Sequence, residues 1–309
     1  MAPKWAPELV TVIVTTFNQA KSLKWLLRSL EEQTYSRQFE VLICDDGSGE
    51  SVRRAIESAG RRGRLTLRHL WQAHRGNRVA QARNMGIQRA KGDLLLFLDG
   101  DCVARPDWIA NHVKLHSLKK TRRIVAGTRV WSPFPKGPLQ NLSHLRQSCR
   151  SQSSYPDRDQ QLRLSRTSAP WTACWAFNFS VPRRPEVFFN PNQGWGSEEY
   201  ELFCRLENHH NYESHLSKKI EVLHLELPKI SKTWNPWVSG KHEHIADYVK
   251  NLLSLTERFP DLDLTEALWP LHHFVLDPQI QKWRRALPKE RIHLEKARII
   301  AENWANNEA

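Results

Sequence analysis

The chain has 309 residues, 40% of them hydrophobic, and carries a formal net charge of +13 with an isoelectric point near 9.7. That hydrophobic content supports a full core and excludes global disorder, and the length suits one large α/β domain or a domain with an extension. The basic balance predicts anionic partners: phosphates, nucleic acid or an anionic membrane face.

The first half of the chain alternates short apolar runs with helical patterns. Strands are predicted at residues 9–14, 39–46, 65–71, 93–99 and 123–131. Between them, apolar residues at helical spacing predict helices at 20–33, 51–60, 77–92 and 105–117. Such alternation indicates a mostly parallel sheet with helices on both faces.

The second half is less regular. Residues 132–170 are dominated by Ser, Gln, Arg and Pro, and they predict a long irregular surface segment, with disorder as the alternative. We expect part of this segment to become ordered when nucleotide binds and to close over the sugar. Residues 171–181 predict a strand pair or strand-turn, Ser197 a helix N-cap, and 220–227 a strand. From Lys241 onward the pattern is helical.

The cysteines and the apolar runs bear on the compartment. Five cysteines lie far apart, with no C-x-x-C pair, and their apolar neighbours predict reduced core thiols in a cytosolic protein. No apolar run approaches the roughly 20 residues of a membrane span, and the N-terminus has no signal-peptide core. We expect a cytoplasmic protein, either unattached or held peripherally at the anionic inner membrane face.

Three predicted strands end in polar residues at what would be one edge of the sheet. These ends are Thr15-Thr16-Phe17-Asn18 after the first strand, Asp45-Asp46-Gly47-Ser48 at the second, and Asp99-Gly100-Asp101 at the fourth. A turn or helix cap explains any single polar end. Ligands of open α/β sheets lie outside the carboxyl ends of the strands, so three such ends favour a binding crevice.

Asp99 and Asp101 are the strongest chemical signal. Side chains two apart in a strand point the same way, and two unpaired carboxylates would repel and raise a pKa. A divalent cation removes that repulsion, and oxygen ligands beside phosphate suit Mg²⁺ or Mn²⁺. The chain has no G-x-G-x-x-G after its first strand and no P-loop motif, which disfavours a dinucleotide dehydrogenase and a P-loop nucleotidase.

Four segments together resemble a family 2 glycosyltransferase of the GT-A fold. They are VTVIVTTFNQAKSLKWLLRSLEEQT, EVLICDDGSGE, RVAQARNMGIQRAKGDLLLFLDGD and NQGWGSEEYELFCRL. The last is similar to the galactosyltransferase-type C-terminal motif, WG followed by GED or a close variant. The resemblance implies a GT-A domain over 1–235, with a nucleotide-sugar half at 1–130 and an acceptor half at 131–235. A helical extension would follow at 236–309.

The resemblance also implies the donor site. Asp99-Gly100-Asp101 would be the DxD motif, in which Asp101 ligates the metal and Asp99 contacts the ribose or the metal. His224 falls where relatives place a third metal ligand, although a histidine in an apolar strand is also a common core residue. Further donor contacts would come from Thr15, Phe17 and Asp46 at the base, Arg78 and Arg83 at the phosphates, and Asn178 at the sugar.

The WGSEE segment is implied to face the acceptor. Trp195 would pack against sugar C–H groups, Glu198 would bind hydroxyls, and Glu199 aligns with the general base. Both glutamates fall in the first turn of a predicted helix, where the helix N-terminus favours the ionised form, so we expect Glu199 to be deprotonated near neutral pH. Two departures stand out: VFFNPNQGWG replaces the usual FDE-like segment, and Glu199 replaces Asp.

The function implied is an inverting, metal-dependent transfer from a nucleotide-sugar, with a UDP-sugar favoured, to a glycan or lipid-linked saccharide. Such a reaction belongs to cell-surface polysaccharide or glycoconjugate biosynthesis. Two alternatives stay open. A basic nucleic-acid-binding protein would explain the charge and the tryptophans, but it leaves the converging acids unexplained, so we expect no nucleic acid partner. A nucleotidyltransferase would need a nucleoside triphosphate, and the WGSEE segment favours a sugar acceptor instead.

Overall fold

The computed structural model describes residues 5–118, 122–135, 138–150, 158–194, 196–226, 242–268, 274–277, 282–285 and 294–308. Its main strands are β1 (Val10–Thr16), β2 (Phe39–Asp45), β3 (Thr66–Trp71), β4 (Leu94–Asp99), β5 (Cys102–Val103), β6 (Arg123–Pro133), β7 (Asn178–Pro182) and β8 (Glu213–Glu226). The helices of the first half are α1 (Ala20–Glu31), α2 (Glu50–Arg61), α3 (Val79–Arg89), α4 (Trp108–Ser117) and α5 (Leu142–Arg150). Those of the second half are α6 (Arg158–Leu164), α7 (Glu198–His210), α8 (His242–Arg258), α9 (Thr265–Leu268) and α10 (Leu294–Glu308).

The main sheet has the strand order β3-β2-β1-β4-β7-β6-β8-β5. The four strands from β3 to β4 are parallel, as predicted, whereas β7 runs antiparallel to both β4 and β6. From β1 the chain goes to β2 and β3 on one side and then returns to β4 on the other. This reversal is a topological switch point, where the carboxyl ends of β1 and β4 open a crevice.

Both faces of the sheet are buried, which explains why its central strands are apolar without interruption. Val12 and Val14 share a core cluster with residues of α1, α2 and α4, while Ile13 between them belongs to a cluster with residues of α3, α7 and α8. Leu96 and Phe97 of β4 alternate between the two clusters in the same way. The prediction of helices on both faces is therefore confirmed.

The prediction of an irregular segment at 132–170 is wrong in part. Strand β6 continues to Pro133, and α5 and α6 lie within the segment. Leu142, Leu145 and Cys149 of α5 recur at intervals of three and four and pack with Trp25 and Leu225. Three apolar positions among many polar ones are enough to bury one face of a short helix.

Two other predictions also need correction. Residues 171–181 do not form a strand pair, because a 3₁₀ turn at Pro170–Ala173 precedes the single strand β7. The C-terminal region is helical in α8, α9 and α10, but it also contains an antiparallel pair, β9 (Phe274–Asp277) and β10 (Lys282–Arg285).

The C-terminal helices share the core of the sheet. Val249 and Leu252 of α8 and Trp304 of α10 belong to the same buried cluster as Phe97 and Phe179. All five cysteines are buried and unbridged, which confirms the prediction of core thiols. In the part of the chain that the structure describes, no helix has both the length and the apolar character that crossing a bilayer requires.

Candidate active site

The carboxyl ends of β1 and β4 meet at the switch point. Thr15 lies beside Asp99 in the parallel register, and its hydroxyl donates a hydrogen bond to Asp99 Oδ1 at 3.0 Å. Gly100 follows, and its N–H donates to the carbonyl of Thr15 at 2.8 Å. A Cβ on Gly100 would lie 2.8 Å from that carbonyl oxygen and 2.9 Å from Gln19 Oε1. The middle position of the DGD segment therefore has room only for glycine.

Asp101 and His224 form a cluster that suits a cation. Asp101 Oδ2 accepts a hydrogen bond from Gln19 Nε2 at 2.9 Å, while Oδ1 lies 3.4 Å from His224 Nε2. β5 pairs with β8, which sets Cys102 opposite His224. The ligand atoms of Asp101, Cys102 and His224 all lie within 4.8 Å of one another.

The polar atoms of this cluster are poorly satisfied. Asp101 Oδ1 and His224 Nδ1 are buried without a hydrogen-bond partner among the described residues. Burial, followed by the charge of Asp99, raises the pKa of Asp101 to about 7, and burial lowers the pKa of His224 well below its usual value. A neutral imidazole beside a carboxylate that is costly to ionise fits a divalent cation, which would satisfy both groups.

Asp46 organises the loop between β3 and α3. Its Oδ1 accepts a hydrogen bond from Gln72 Nε2 at 2.6 Å, and its Oδ2 accepts one from the backbone N–H of Arg78 at 3.1 Å. Arg78 Nε lies 3.7 Å from Asp46 Oδ1. The guanidinium of Arg78 also donates to the carbonyl of Ala73. The structure thus brings Asp46 and Arg78 together and closes the β3–α3 loop onto the end of β2.

Phe17 forms an aromatic pair at the same edge. Its ring stacks on His74 with a centroid separation of 4.1 Å and an interplanar angle of 11°. His74 is anchored by Nδ1, which lies 3.0 Å from the carbonyl oxygen of Asp46. The sequence analysis missed His74 and Gln72. The polar residues that follow β3, which ends at the same edge, are the signal that identifies them.

Arg83 joins the DGD segment to the WGSEE segment. It is 3% exposed, and its guanidinium donates to Asp99 Oδ1 at 3.2 Å and to Glu198 Oε1 at 2.5 Å. Burial alone would lower the pKa of Arg83, but Glu198 and Asp99 outweigh it and the pKa is raised. Glu198 Oε2 also accepts a hydrogen bond from the N–H of Gly196 at 3.1 Å. Both carboxylate oxygens of Glu198 are therefore engaged, one by Arg83 and the other by the backbone of the WGSEE segment.

Glu199 does not behave as its place in the helix predicts. Burial, followed by the charge of Glu198, raises the pKa of Glu199 to about 8. The expectation of an ionised Glu199 near neutral pH is wrong, because desolvation and a like charge outweigh the helix N-terminus. Ser197 occupies the N-cap position in a left-handed conformation with φ 59° and makes no side-chain cap.

Helix α8 braces the loop that carries Trp195. Asn251 Nδ2 donates to the carbonyls of Gly194 and Gly196 at 3.2 and 2.6 Å, so one amide holds the peptides on both sides of Trp195. Gly196 has φ 86°, and a Cβ there would lie 2.5 Å from the ring of Tyr248. Trp195 itself lies outside the described residues.

Asn178 lies in the core and not at this edge. It is fully buried, its Oδ1 accepts a hydrogen bond from Trp108 Nε1 at 2.9 Å, and its Nδ2 donates to the carbonyl of Ile220 at 2.6 Å. Its amide is therefore committed to holding β7, β8 and α4 together. We assign it no contact with a donor sugar.

The strand order, the switch point and the acidic carboxyl edge of the sheet define a GT-A fold. Residues 11–184, more than half of the chain, match the family described as glycosyl transferase family 2. The chain therefore belongs to that family.

Curated relatives include validoxylamine A glucosyltransferase of Streptomyces hygroscopicus subsp. jinggangensis (strain 5008), 31% identical over 221 residues. That match covers 65% of this chain and 52% of the relative. The uncharacterized glycosyltransferase YfnE of Bacillus subtilis (strain 168) is 24% identical, with 95% of this chain and 85% of that protein covered. The chain spans about half the length of the validoxylamine A glucosyltransferases that it matches.

Solved structures share the fold at low identity. The mannosyltransferase PcManGT from Pyrobaculum calidifontis, in complex with GDP-Man and Mn²⁺, has a TM-score of 0.62 and 15% identity. That match covers 99% of this chain and 76% of PcManGT. GalNAc-T7 with UDP, GalNAc and Mn²⁺ has a TM-score of 0.59 and 17% identity, over 96% of this chain and 55% of that one.

Proposed function

We propose that the protein transfers a sugar from a nucleotide-sugar donor to a glycan or lipid-linked saccharide. The observation that carries the proposal is that two buried atoms of neighbouring side chains, Asp101 Oδ1 and His224 Nδ1, have no hydrogen-bond partner among the described residues. Asp99, two residues before Asp101 in the chain, is joined by Arg83 to Glu198 at the acidic start of α7. The proposal thus combines a cation site at Asp101 and His224 with a carboxyl suited to proton transfer at Glu199, next to Glu198 in the chain.

Asp101 and His224 would hold the cation, with Asp99 beside them, and Mn²⁺ or Mg²⁺ fits the oxygen and imidazole donors. When bound, the cation supplies positive charge that stabilises the departing nucleoside diphosphate. The presence of Mn²⁺ in the PcManGT and GalNAc-T7 complexes supports this assignment. Gln19 orients Asp101 through its hydrogen bond to Oδ2.

The donor would lie along the ends of β1, β2 and β4. Phe17 and His74 form an aromatic pair against which a nucleobase can pack. Nearby, Thr15 holds the side chain of Asp99, and Asp46 holds the backbone of Arg78. Structures that share the fold and are in complex with UDP-GlcNAc or UDP, namely those of S. aureus TarS 1-349 and GalNAc-T7, support a UDP-sugar. PcManGT, which binds GDP-Man, makes GDP-sugars the first alternative to test.

Glu199 is the residue that we assign to the acceptor's proton. A base with a pKa near the operating pH is the efficient choice for general base catalysis. In a single displacement, the acceptor hydroxyl attacks the anomeric carbon and its proton passes to Glu199. The bond between the anomeric carbon and the diphosphate oxygen breaks, the nucleoside diphosphate leaves, and the configuration inverts. Glu198, which holds Arg83 and the Gly196 N–H, positions the loop at the acceptor side, where Trp195 would pack on the sugar.

A donor screen tests the proposal without knowledge of the acceptor. UDP- and GDP-sugars are incubated with the protein and Mn²⁺, and release of the nucleoside diphosphate is followed with and without EDTA. We expect slow hydrolysis of one donor that stops with EDTA and in Asp101→Asn, while Asp107→Asn, at an exposed carboxylate, retains it.

Three outcomes would count against the transferase. These are no hydrolysis together with no thermal stabilisation by any nucleoside diphosphate and Mn²⁺, release of pyrophosphate from a nucleoside triphosphate, and stabilisation by an oligonucleotide alone. The second outcome would favour the nucleotidyltransferase, and the third would favour the nucleic-acid-binding protein.

A further inference from the structure

Cys102 lies in the cluster with Asp101 and His224, and the proposed function gives its thiol no role. Among the described residues, these three form the one group of histidine, cysteine and acidic side chains whose ligand atoms all lie within 4.8 Å of one another. The other four cysteines are also buried, but they belong to no such group in the part of the chain that the structure describes. Its neighbours therefore set Cys102 apart from the other core thiols.

The sheet holds the thiol beside the imidazole. Cys102 is fully buried on β5 and is the antiparallel partner of His224 on β8, so the two side chains are cross-strand neighbours. Asp101 Oδ1 lies 3.4 Å from His224 Nε2. Two ligands that are each roughly 2.0–2.2 Å from a tetrahedral cation are about 3.4 Å apart, so this pair already has the separation that such a cation requires.

The surroundings of the cluster orient one ligand and keep water away from another. Gln19 Nε2 donates to Asp101 Oδ2 at 2.9 Å, whereas Asp101 Oδ1 and His224 Nδ1 have no hydrogen-bond partner among the described residues. The ring centroids of Trp131 and Phe177 lie 4.3 and 6.3 Å from that of His224. An oriented carboxylate and an apolar shell are the supports that a metal site has outside its ligands.

The thiol changes which cation these ligands prefer. Mg²⁺ and Mn²⁺ favour oxygen ligands, whereas a set of one thiolate, one imidazole and one carboxylate suits Zn²⁺. A thiolate also adds a second negative charge to that of Asp101, so the ligands neutralise a divalent cation without Asp99, which Arg83 holds. The thiol proton is released to solvent when the cation binds, as in other zinc sites with cysteine ligands.

We propose that Asp101, Cys102 and His224 form a Zn²⁺ site in which the sulfur of Cys102 is a ligand. Three protein ligands leave a fourth position for water or a phosphate oxygen. Mn²⁺ would use Asp101 and His224 without the sulfur, so Zn²⁺ and Mn²⁺ compete for the two shared ligands. The inference rests on the cation site of the proposed function, but its test needs neither nucleotide nor turnover.

The test is metal binding by the full chain without nucleotide. Calorimetry should show that Zn²⁺ binds about 100-fold or more tightly than Mn²⁺. X-ray absorption at the zinc edge should show one sulfur at about 2.3 Å. In Cys102→Ser the sulfur should disappear and Zn²⁺ affinity should fall about 100-fold, with Mn²⁺ affinity unchanged. Cys204→Ser, at a thiol that is equally buried on α7, is the matched control and should change none of these.

Three results would overturn the inference: Zn²⁺ bound without a sulfur ligand, a sulfur that persists in Cys102→Ser, or Zn²⁺ affinity no higher than that of Mn²⁺. If Cys102→Ser does not fold, His224→Gln decides, because a sulfur-bound Zn²⁺ that persists there lies elsewhere in the chain. Hydrolysis of a donor with Mn²⁺ by a chain whose Zn²⁺ has no sulfur ligand would overturn the inference alone. Sulfur-bound Zn²⁺ in a chain that neither hydrolyses a donor nor binds a nucleoside diphosphate would overturn the proposed function alone.

Discussion

The raised pKa of Glu199 predicts a steep pH dependence for any reaction in which it acts as the base. Its pKa is about 8 because of burial and the charge of Glu198. With that value, about a tenth of the enzyme has an ionised Glu199 at pH 7 and about a hundredth at pH 6. We therefore expect kcat/KM to fall about tenfold for each pH unit below 8.

Two variants make the prediction specific to this carboxyl. Glu199→Gln keeps the shape and removes the base, so turnover should fall roughly 10²–10⁴-fold and lose its pH dependence, while nucleotide binding stays nearly unchanged. Glu198→Gln removes a negative charge that raises the pKa of Glu199. It also removes a carboxylate that neutralises Arg83, whose positive charge lowers the pKa of Glu199. Its profile should shift toward lower pH.

The assay is the initial rate of donor hydrolysis or transfer between pH 5.5 and 9, at a constant saturating concentration of the cation. A rate that is flat from pH 6 to 8 would refute the reasoning, because an ordinary glutamate, with its pKa near 4.3, is fully ionised over that range. A midpoint that stays in place in Glu198→Gln would show that another group titrates.

Three further predictions concern the metal, the core and the surface. Asp101→Ala should abolish cation-dependent UDP binding in calorimetry while the melting temperature stays near that of the wild type; unchanged affinity would remove Asp101 from the cation site. Burial lowers the pKa values of His112 and His116 from about 6.5 in the unfolded chain to about 3 in the folded chain. As pH falls, the unfolded chain therefore binds protons first, and the folded state loses stability between about pH 6.5 and 3. At pH 5 this costs about 2 kcal/mol per histidine, and urea midpoints at pH 7 and 5 should show a smaller loss for His116→Gln. The net charge of +13 should hold the chain on anionic vesicles at low salt, at about 1 kcal/mol per well-placed basic residue; flotation with neutral vesicles is the control, and equal flotation would contradict an electrostatic contact.

The parts of the fold that follow from local pattern were predictable from the sequence. Strands β1, β2 and β4 are continuous apolar runs because both of their faces are buried. Such a run can be recognised in the sequence without knowing which residues pack against it. The helix α5 was missed because its apolar positions are few and their partners, Trp25 and Leu225, are far away in the chain. The local sequence of a largely polar segment does not show that its few apolar residues pack against such distant side chains.

The residues of the candidate site also fall into those that local sequence pattern places and those whose position depends on distant parts of the chain. The acids at the ends of β2 and β4 could be assigned to one edge because parallel strands end together. The position of Asn178 could not be predicted, because successive residues of a strand point to opposite faces and the sequence does not show which face a given residue occupies. Phe177 lies near His224, whereas Asn178, the next residue, bonds to Trp108 in the core. The bridge from Asp99 through Arg83 to Glu198 spans 115 positions at its longer arm, so only the folded chain could reveal it.

Because Asn251 of α8 bonds to Gly194 and Gly196, the two parts of the candidate site depend on different regions of the chain for their shape. The carboxylates Asp99 and Asp101 lie before residue 104 and are joined there by His224 of β8, whereas the loop around Trp195 depends on a helix that begins at His242. If the WGSEE loop binds the acceptor as proposed, substitutions on α8 that never touch a sugar would change acceptor preference. In a recombined chain, a WGSEE loop exchanged without its own α8 would lose the two hydrogen bonds from Asn251 that hold its backbone.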